Sequence, residues 1–593
     1  MSVGDTQRSE TYLYDMVAPY LEGLSWADTP PPESFLAASP DPSAYFNPGH
    51  PHNRFTLDYR GTPTRVVLIR DPSFFGPEME TALAPHWGRD TSMGLVLFAN
   101  REFNTVGGLF LHSLFLDPTH ALLSDPASAH LTPLQLKGST PAFWATFGGT
   151  MSFTDIDLRT ALQRVADKGT DMGRKAMAIE ISLALETLEG RDRDSHPVHL
   201  GGMKEVILHP EGTPLEVMKQ AINPAWDRDY TPTPIEFAAL QTRMAIDPKG
   251  HAYAIASAVL RTFGVSHTGS DQNTPFEWAW FLAERAPNQI VGNPHAAKIN
   301  RGFVPTEATA TGIWAGLQVI HQELFNGSIP ETHIEGAGGI GSLLIQNHRD
   351  HRGVVTVSDI HVDPLLRARA MGAKAVYLNE GNLRAEYFLS PDKAEAELAR
   401  ARAQGIPIRP DLISTLREHP GTGILSNNAS THPITADVAD YLAIDSRVRA
   451  VFGATNSVFG LHEGSTDYVV WRLQQGGVFA DADYVANRMG ATGVIARKIG
   501  LGTPARFLEH AQMVAETTRL SLEQFRQGIP PLIYWNHRTG ITLNGHLTNT
   551  TGPYATGGHL MTGNPSAEIP RTLRETLEAR PLERGRQMRD ARR

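Results

Sequence analysis

The stretch Glu335-Gly336-Ala337-Gly338-Gly339-Ile340-Gly341 decides how this chain is read. It follows a short strand candidate, His333–Glu335, and opens a helix over Gly338–Gln346, so three glycines fall in a G-x-G-x-x-G spacing at a strand-to-helix turn. The first glycine permits a tight turn, the second lets backbone approach a pyrophosphate, and the third lets helix and strand pack closely. The phosphates would then sit on the helix N-terminus, where unpaired N–H groups and the dipole favour an anion. Taken alone the spacing is weak, since a glycine-rich turn without a ligand looks the same. A second feature strengthens it: Asp359 ends the next strand, VVTVSDIH, 23 residues after Gly336. An acidic side chain there accepts hydrogen bonds from the adenosine ribose and repels a 2′-phosphate, so the expected cofactor is NAD, not NADP. Gly336, Gly338, Gly339, Ile340, Gly341 and Asp359 are its expected contacts.

Outward from this unit, residues 306–500 alternate strands and helices, the pattern of a parallel sheet with crossover helices. Val354–Ser358 and Ala375–Leu378 are further strands, and Pro364–Met371 a helix between them. Residues 501–593 return to helix over Ala505–Gln527 and end in a charged helical tail, Ile569–Arg593. Upstream, 131–305 mixes helices over Leu158–Ile179, Pro234–Ile246 and Ala252–Arg261 with a short strand, Lys204–His209. Residues 1–130 are proline-rich and irregular, with β-rich pieces at Thr64–Arg70 and Gly94–Ala99. They read as an N-terminal extension that adds structure or an oligomer contact.

Composition narrows the function. At 593 residues, and about 150 per domain, two to four domains are expected. Apolar residues at 41% and charged residues at 20% suffice for a buried core. A net charge of −10 argues against nucleic acid held by a general positive field. The absence of cysteine excludes disulfides, thiolate metal sites and thiol nucleophiles. No secretory signal and no run of about 18 apolar residues is seen, so a soluble cytoplasmic protein without a membrane partner is expected.

Two side chains stand out for chemistry. Lys204, in His199-Leu200-Gly201-Gly202-Met203-Lys204-Glu205-Val206-Ile207, sits between a glycine turn and an apolar strand. It is either a surface lysine or a functional amine, and burial would suit it to proton transfer by disfavouring the ammonium form. Asp271, in SHTGSDQNT, lies in a loop of small polar residues and is either a turn or cap aspartate or a proton carrier. The 24 histidines include His196-x-x-His199 and the pair His348 and His351, but Pro197 breaks the first pair and no acidic ligand completes either. No metal is expected. No G-x-S-x-G stands on a convincing strand–helix turn.

The order of these motifs resembles the glutamate/leucine/phenylalanine/valine dehydrogenases, most of all the leucine dehydrogenase branch, over about Phe147–Ile495. Phe147-Gly148-Gly149-Thr150 resembles that family's Gly-Gly turn in the substrate domain, and Lys175, in GRKAMA, its lysine for the substrate α-carboxylate. HLGGMKEVI is similar to the segment with the catalytic lysine, here Lys204, and SHTGSDQNT to the loop with the catalytic aspartate, here Asp271. EATATG places Thr309 at the family's threonine before the nucleotide domain. LSNNAST and FGATN, with Ala429, Gly453 and Asn456, resemble the segments lining the nicotinamide, and GVFADADYVAN the stretch leading to the pocket's far wall.

The resemblance implies an α/β protein with an α/β substrate domain, a doubly wound Rossmann NAD domain and an extra N-terminal segment. It implies NAD-dependent oxidative deamination of an L-amino acid to the 2-oxo acid and ammonia, the reverse amination, and a homo-oligomer of at least two copies. The residue before the Gly-Gly pair is a lysine in glutamate-specific members and is Phe147 here, which leaves a side-chain carboxylate without a partner. With Gly269 removing further bulk, an apolar side chain, branched or aromatic, is expected. The chain departs from the family by an insertion between Lys175 and Lys204 and by Met489-Gly490-Ala491-Thr492-Gly493 where a glycine pair is expected. Two other outcomes share the scaffold: an NAD-binding regulatory or catalytically silent paralogue, and a specialised-metabolism oxidoreductase for an unusual amino or imino acid.

Overall fold

The computed structural model describes residues 12–26, 54–69, 72–83, 93–112, 143–154, 156–166, 168–169, 172, 175–176, 179, 198–226, 232–262, 267–270, 305–386, 391–429, 433–456, 458–460, 462, 466–495, 504–539 and 574. Asp271 and the tail beyond Arg574 lie outside these residues. The strands described form two seven-stranded sheets, and the chain is α/β.

The first sheet comprises β1 (Arg54–Tyr59), β2 (Thr62–Ile69), β3 (Met93–Asn100), β4 (Thr105–His112), β5 (Phe143–Phe153), β6 (Val198–Leu208) and β7 (His267–Ser270), in the order β1-β2-β3-β4-β6-β5-β7. Neighbours are antiparallel from β1 to β6 and parallel among β6, β5 and β7. Period-two alternation sends β2 into two cores. Val66 and Leu68 face the helices Pro234–Ile246 and Pro248–Thr262, while Val67 and Ile69 face the N-terminal turns and the helical residues from 158 on. Thr233 starts the first of those helices with a reciprocal capping box to Glu236, and Pro234 occupies its first turn.

The second sheet comprises β8 (Glu331–Glu335), β9 (Val355–Asp359), β10 (Ala375–Asn379), β11 (Ile408–Arg409), β12 (Thr422–Asn427), β13 (Ala450–Val451) and β14 (Phe479–Ala480). All are parallel, in the order β11-β10-β9-β8-β12-β13-β14. This is the doubly wound Rossmann arrangement: the chain moves one way from β8 to β11, then returns across β8 to β12 and onward. The strands are buried on both faces, as crossover helices require.

One helical stretch ties the sheets together. Leu158, Leu162 and Val165 pack on the first sheet, whereas Met172, Ala176 and Ile179 pack into the core that holds Ile313, Leu317 and the second sheet. The long helices Pro305–Leu324 and Pro504–Arg526 lie against each other and extend that core.

Several expectations are corrected. Phe147–Thr150 is not a turn: it lies inside β5, and Gly201–Gly202 lies inside β6. The two eleven-residue strands pair over their whole length, and a Cβ at Gly148 would collide with the Met203 carbonyl, so glycine serves close strand approach here. His267–Ser270, expected in a loop, is strand β7. Residues 54–112, read as the far part of an irregular extension, supply four strands to the same sheet as Lys204.

Candidate active site at the junction of the two sheets

The candidate nucleotide cradle lies at the ends of the adjacent strands β8 and β12. Gly336 leaves β8 with φ +91°, a conformation that disfavours a side chain, and its N–H bonds the Ser358 carbonyl at 2.7 Å. A Cβ there would meet the Ala429 Cβ at 2.6 Å, so the loops after β8 and β12 touch at the topological switch point. A Cβ at Gly341 would collide with the Gly336 carbonyl oxygen, so this glycine closes helix against strand. Gly338 is different: a Cβ there would meet nothing within 4 Å. It is the N-cap of helix Gly339–Asp350 and makes no side-chain cap bond. Backbone that is open at the second glycine, beside a helix N-terminus, fits a pyrophosphate. Gly339 and Ile340 form the helix's first turn, with Thr306 of helix Pro305–Leu324 packed 2.8 Å from a Cβ at Gly339.

Asp359 ends β9 and clamps this turn. Its carboxylate accepts the Ala337 N–H at 2.6 Å through one oxygen and the His361 N–H at 2.9 Å through the other. Burial pushes the carboxyl above its ordinary range, against the pull of these N–H groups. Each oxygen has a second lone pair, so the group can accept a ribose hydroxyl as well. Glu335, not singled out in the sequence, is buried at the end of β8 and accepts from Asn382 at 2.9 Å and Asn427 at 2.5 Å. Burial raises its carboxyl too, and Asp359 adds to the effect.

The loop after β13 carries Gly453, where a Cβ would collide with the Asn427 carbonyl oxygen, and Ala454, whose N–H bonds Asn428 Oδ1 at 3.1 Å. Asn456 follows. Its Oδ1 accepts from Asn487 Nδ2 at 2.9 Å and from Lys175 Nζ. Asn487 also donates to the Ala454 carbonyl at 3.1 Å and the Thr455 carbonyl at 3.2 Å. Lys175, which the sequence places in the substrate half, is thus brought to Asn456, which it places at the nicotinamide. Asn487 was noticed only as the end of a segment, because its partners come from a loop more than 30 residues away.

Lys204 lies in the middle of β6 and is 3% exposed. The register sets Lys204, Gly149 of β5 and Gly269 of β7 in one row of three parallel strands. Residues in one row point to one face, so beside the lysine the sheet presents two positions without a side chain. The face is that of Val206 and Leu208, on which the helical residues Leu158, Leu162 and Val165 pack. Helix Met489–Ile495, which follows Asn487, packs beside β7. The first sheet thus sets two glycine positions beside a buried amine, with helix Met489–Ile495 packed at the β7 edge of that row. Thr309 is buried on helix Pro305–Leu324. Phe147 lies in β5 opposite Gly202 and His267.

The adjacent Glu205 points to the other face. It is fully buried and takes a 2.7 Å bond from Thr150, and burial pushes its carboxyl up to about 8. His348 is packed at 5.0 Å from the Trp314 ring and 6.0 Å from that of His321. Burial holds it near 3, so it is a neutral core histidine. Among the described residues no group of three His, Asp or Glu side chains could hold a metal.

No family model and no curated protein matches the chain. Solved structures similar to it include L-tryptophan dehydrogenase from Nostoc punctiforme, at 15% identity over 72% of this chain and 88% of that one, TM-score 0.39. A hetero-hexameric glutamate dehydrogenase from Thermus thermophilus (Leu bound form) is 13% identical over 90% and 96%, TM-score 0.37. The Plasmodium falciparum glutamate dehydrogenase is 10% identical over 88% and 91%, TM-score 0.39. These values are low, and the chemistry is read from this chain's own residues. No helix among the described residues is long and apolar enough to cross a membrane.

Proposed function

We propose that this chain is an NAD-dependent amino acid dehydrogenase, on the leucine dehydrogenase side of its family. It would convert an L-amino acid with an apolar side chain, branched or aromatic, to the 2-oxo acid and ammonia, and run the reverse. The observation that carries the reading is the row Lys204–Gly149–Gly269, a buried amine beside two glycine positions, joined to the cofactor crevice through Lys175, Asn456 and Asn487.

The cradle of Gly336, Gly338 and Gly341 with Asp359 fits NAD, which when bound supplies the acceptor for the substrate's Cα hydride. This chain's residues do the rest. Lys175 holds the α-carboxylate, with Asn456 fixing where its ammonium sits; Gly148 and Gly149, whose backbone is committed to β6 and β7, serve the site only by carrying no side chain. Thr309, Ala429 and Gly453 border the nicotinamide position. Lys204 takes a proton from the water that attacks the imine and polarises the oxo group in the reverse direction. Asp271, two residues beyond Gly269, carries protons to and from the amine. The interdomain position excludes water and holds the reacting atoms together.

The functional halves follow residues 131–305, joined by the strands within 1–130, and residues 306–500, against whose core the helices Pro504–Arg526 and Pro531–Thr539 pack instead of returning to the first half. The same reading makes the protein a cytoplasmic homo-oligomer acting on a small molecule. An absorbance screen for NADH formation from the L-amino acids at alkaline pH tests it, repeated with NADP. Leucine, valine, phenylalanine or tryptophan should be turned over well ahead of glutamate, and with NAD preferred. Glutamate as the best substrate would refute the apolar pocket, and no turnover with any amino acid would leave a cofactor-binding protein without this activity.

A further inference from the structure

At the far end of the first sheet lies a cavity of about 240 Å³ that the proposed reaction does not use. Tyr14, Glu22 and Trp26 line it from the N-terminal turns, Arg65 from β2, and Arg101 from the turn between β3 and β4. Arg65 stands level with Leu208, through Ala99 and Val106, so it is four residues along and three strands across from Lys204. At strand spacings that is roughly 20 Å.

The lining is chemically specific. Arg65 Nη1 donates to the Tyr14 hydroxyl at 3.0 Å, and the guanidinium lies 5.4 Å from the Trp26 ring centre. Arg101 lies 5.6 Å from the ring centre of the buried Tyr14, and its carbonyl accepts from Tyr12. Neither guanidinium forms an ion pair with a carboxylate among the described residues. Two guanidinium groups are therefore held on aromatic faces around one space, with no opposing charge paired to either. A guanidinium fork matches an oxyanion in a bidentate way, and the rings offer stacking surface to a planar group. The volume lies below the roughly 300–1,000 Å³ of drug-sized sites, which rules out a dinucleotide. Glu22 on the wall disfavours a polyanion such as a triphosphate and provides an acceptor for an ammonium.

We propose that this cavity binds a small aromatic carboxylate, its oxyanion between Arg65 and Arg101 and its ring against Trp26. Such a ligand is a remote effector, since it occupies the opposite end of the sheet from Lys204. Two sources share this chemistry, an aromatic amino acid and an aromatic acid without the amine.

Isothermal titration of the full chain without nucleotide, using L-phenylalanine and 3-phenylpropanoate as separate probes, tests the proposal. Saturable binding is expected that Lys175→Met leaves in place and that the double variant Arg65→Gln/Arg101→Gln weakens at least tenfold. Phenylalanine binding more tightly, with the advantage lost in Glu22→Gln, identifies the amino acid; equal binding identifies the plain carboxylate. Trp26→Phe offers a second readout: each probe should quench wild-type tryptophan fluorescence, and the variant should lose that quench. The proposal fails if neither probe binds saturably, or if Lys175→Met abolishes binding that the arginine variant retains.

Discussion

On the proposed reading the two sheets meet their ligands by opposite means. The second uses main chain: a positive-φ glycine, an open glycine and a helix N-terminus shape its crevice, and its side chains mostly brace that backbone, as Asp359 does through the Ala337 and His361 N–H groups. The first uses side chains: an amine from β6 in one row with glycines of β5 and β7, and a second amine, Lys175, held at Asn456. Changes in the backbone-built half should act on binding or folding through sterics. Changes in the side-chain half should act on chemistry and leave the scaffold intact.

The sharpest break between the halves is Lys204→Ala. Losing a general acid–base group costs about 10²–10⁴-fold, so amino-acid-dependent NADH formation should fall by that amount while NAD affinity stays unchanged. Lys175→Met should act next most strongly, and mainly on KM. A hydrogen bond to a charged group is worth roughly 1.5–3 kcal/mol, so KM for the amino acid should rise about 10- to 150-fold in steady-state assays. A rise in KM for NAD alone would remove Lys175 from the carboxylate site.

Two glycines then divide the other half. Gly338→Ala introduces a Cβ into open space at an ordinary φ of −65°, so the melting temperature should hold while NAD affinity drops about tenfold. Gly341→Ala drives a Cβ onto the Gly336 carbonyl and should destabilise folding by about 1–3 kcal/mol, seen as a lower denaturant midpoint. Equal effects from both substitutions would contradict distinct roles for the two positions.

How much of this was legible follows the same division. The glycine spacing and Asp359 stand out because a tight glycine turn from strand to helix is a local backbone requirement, met within 24 consecutive residues. The Rossmann strands at His333–Glu335, Val354–Ser358 and Ala375–Leu378 fall within one residue or two of β8, β9 and β10: apolar and β-branched runs mark β9 and β10 as buried parallel strands, and the glycine turn that follows marks β8. Strands β5 and β6 were misread around their glycine pairs, since glycine signals a turn unless a partner strand explains it. That partner, Met203 against Gly148, lies more than 50 residues away. Strands β1 and β4 were missed because proline clusters and Gly107–Gly108 hid them, although β4 packs its glycines under Phe98 and Leu162. Asn487 and Glu335 needed the tertiary structure, because their partners come from other strands and loops.

The smallest expected effect on catalysis concerns Glu205, on the reverse face of the same strand as Lys204. Its carboxyl stays protonated in the folded chain up to about pH 8, against an ordinary value of 4.5. Between those values the unfolded chain binds fewer protons, so stability falls as pH rises, by at most about 1.4 kcal/mol per pH unit. Glu205→Gln should flatten the decline of melting temperature between pH 5 and 8 with little effect on kcat. An unchanged slope would mean the carboxyl is not held neutral.

The central claim, that the buried amine on β6 performs the chemistry between the two halves, is tested most directly by following absorbance at 340 nm with NAD and leucine or phenylalanine, for wild type and Lys204→Ala side by side, with NAD binding measured on both. The account predicts steady NADH formation by wild type and a loss of about a thousandfold in the variant at equal NAD affinity. Comparable turnover by the variant would contradict it.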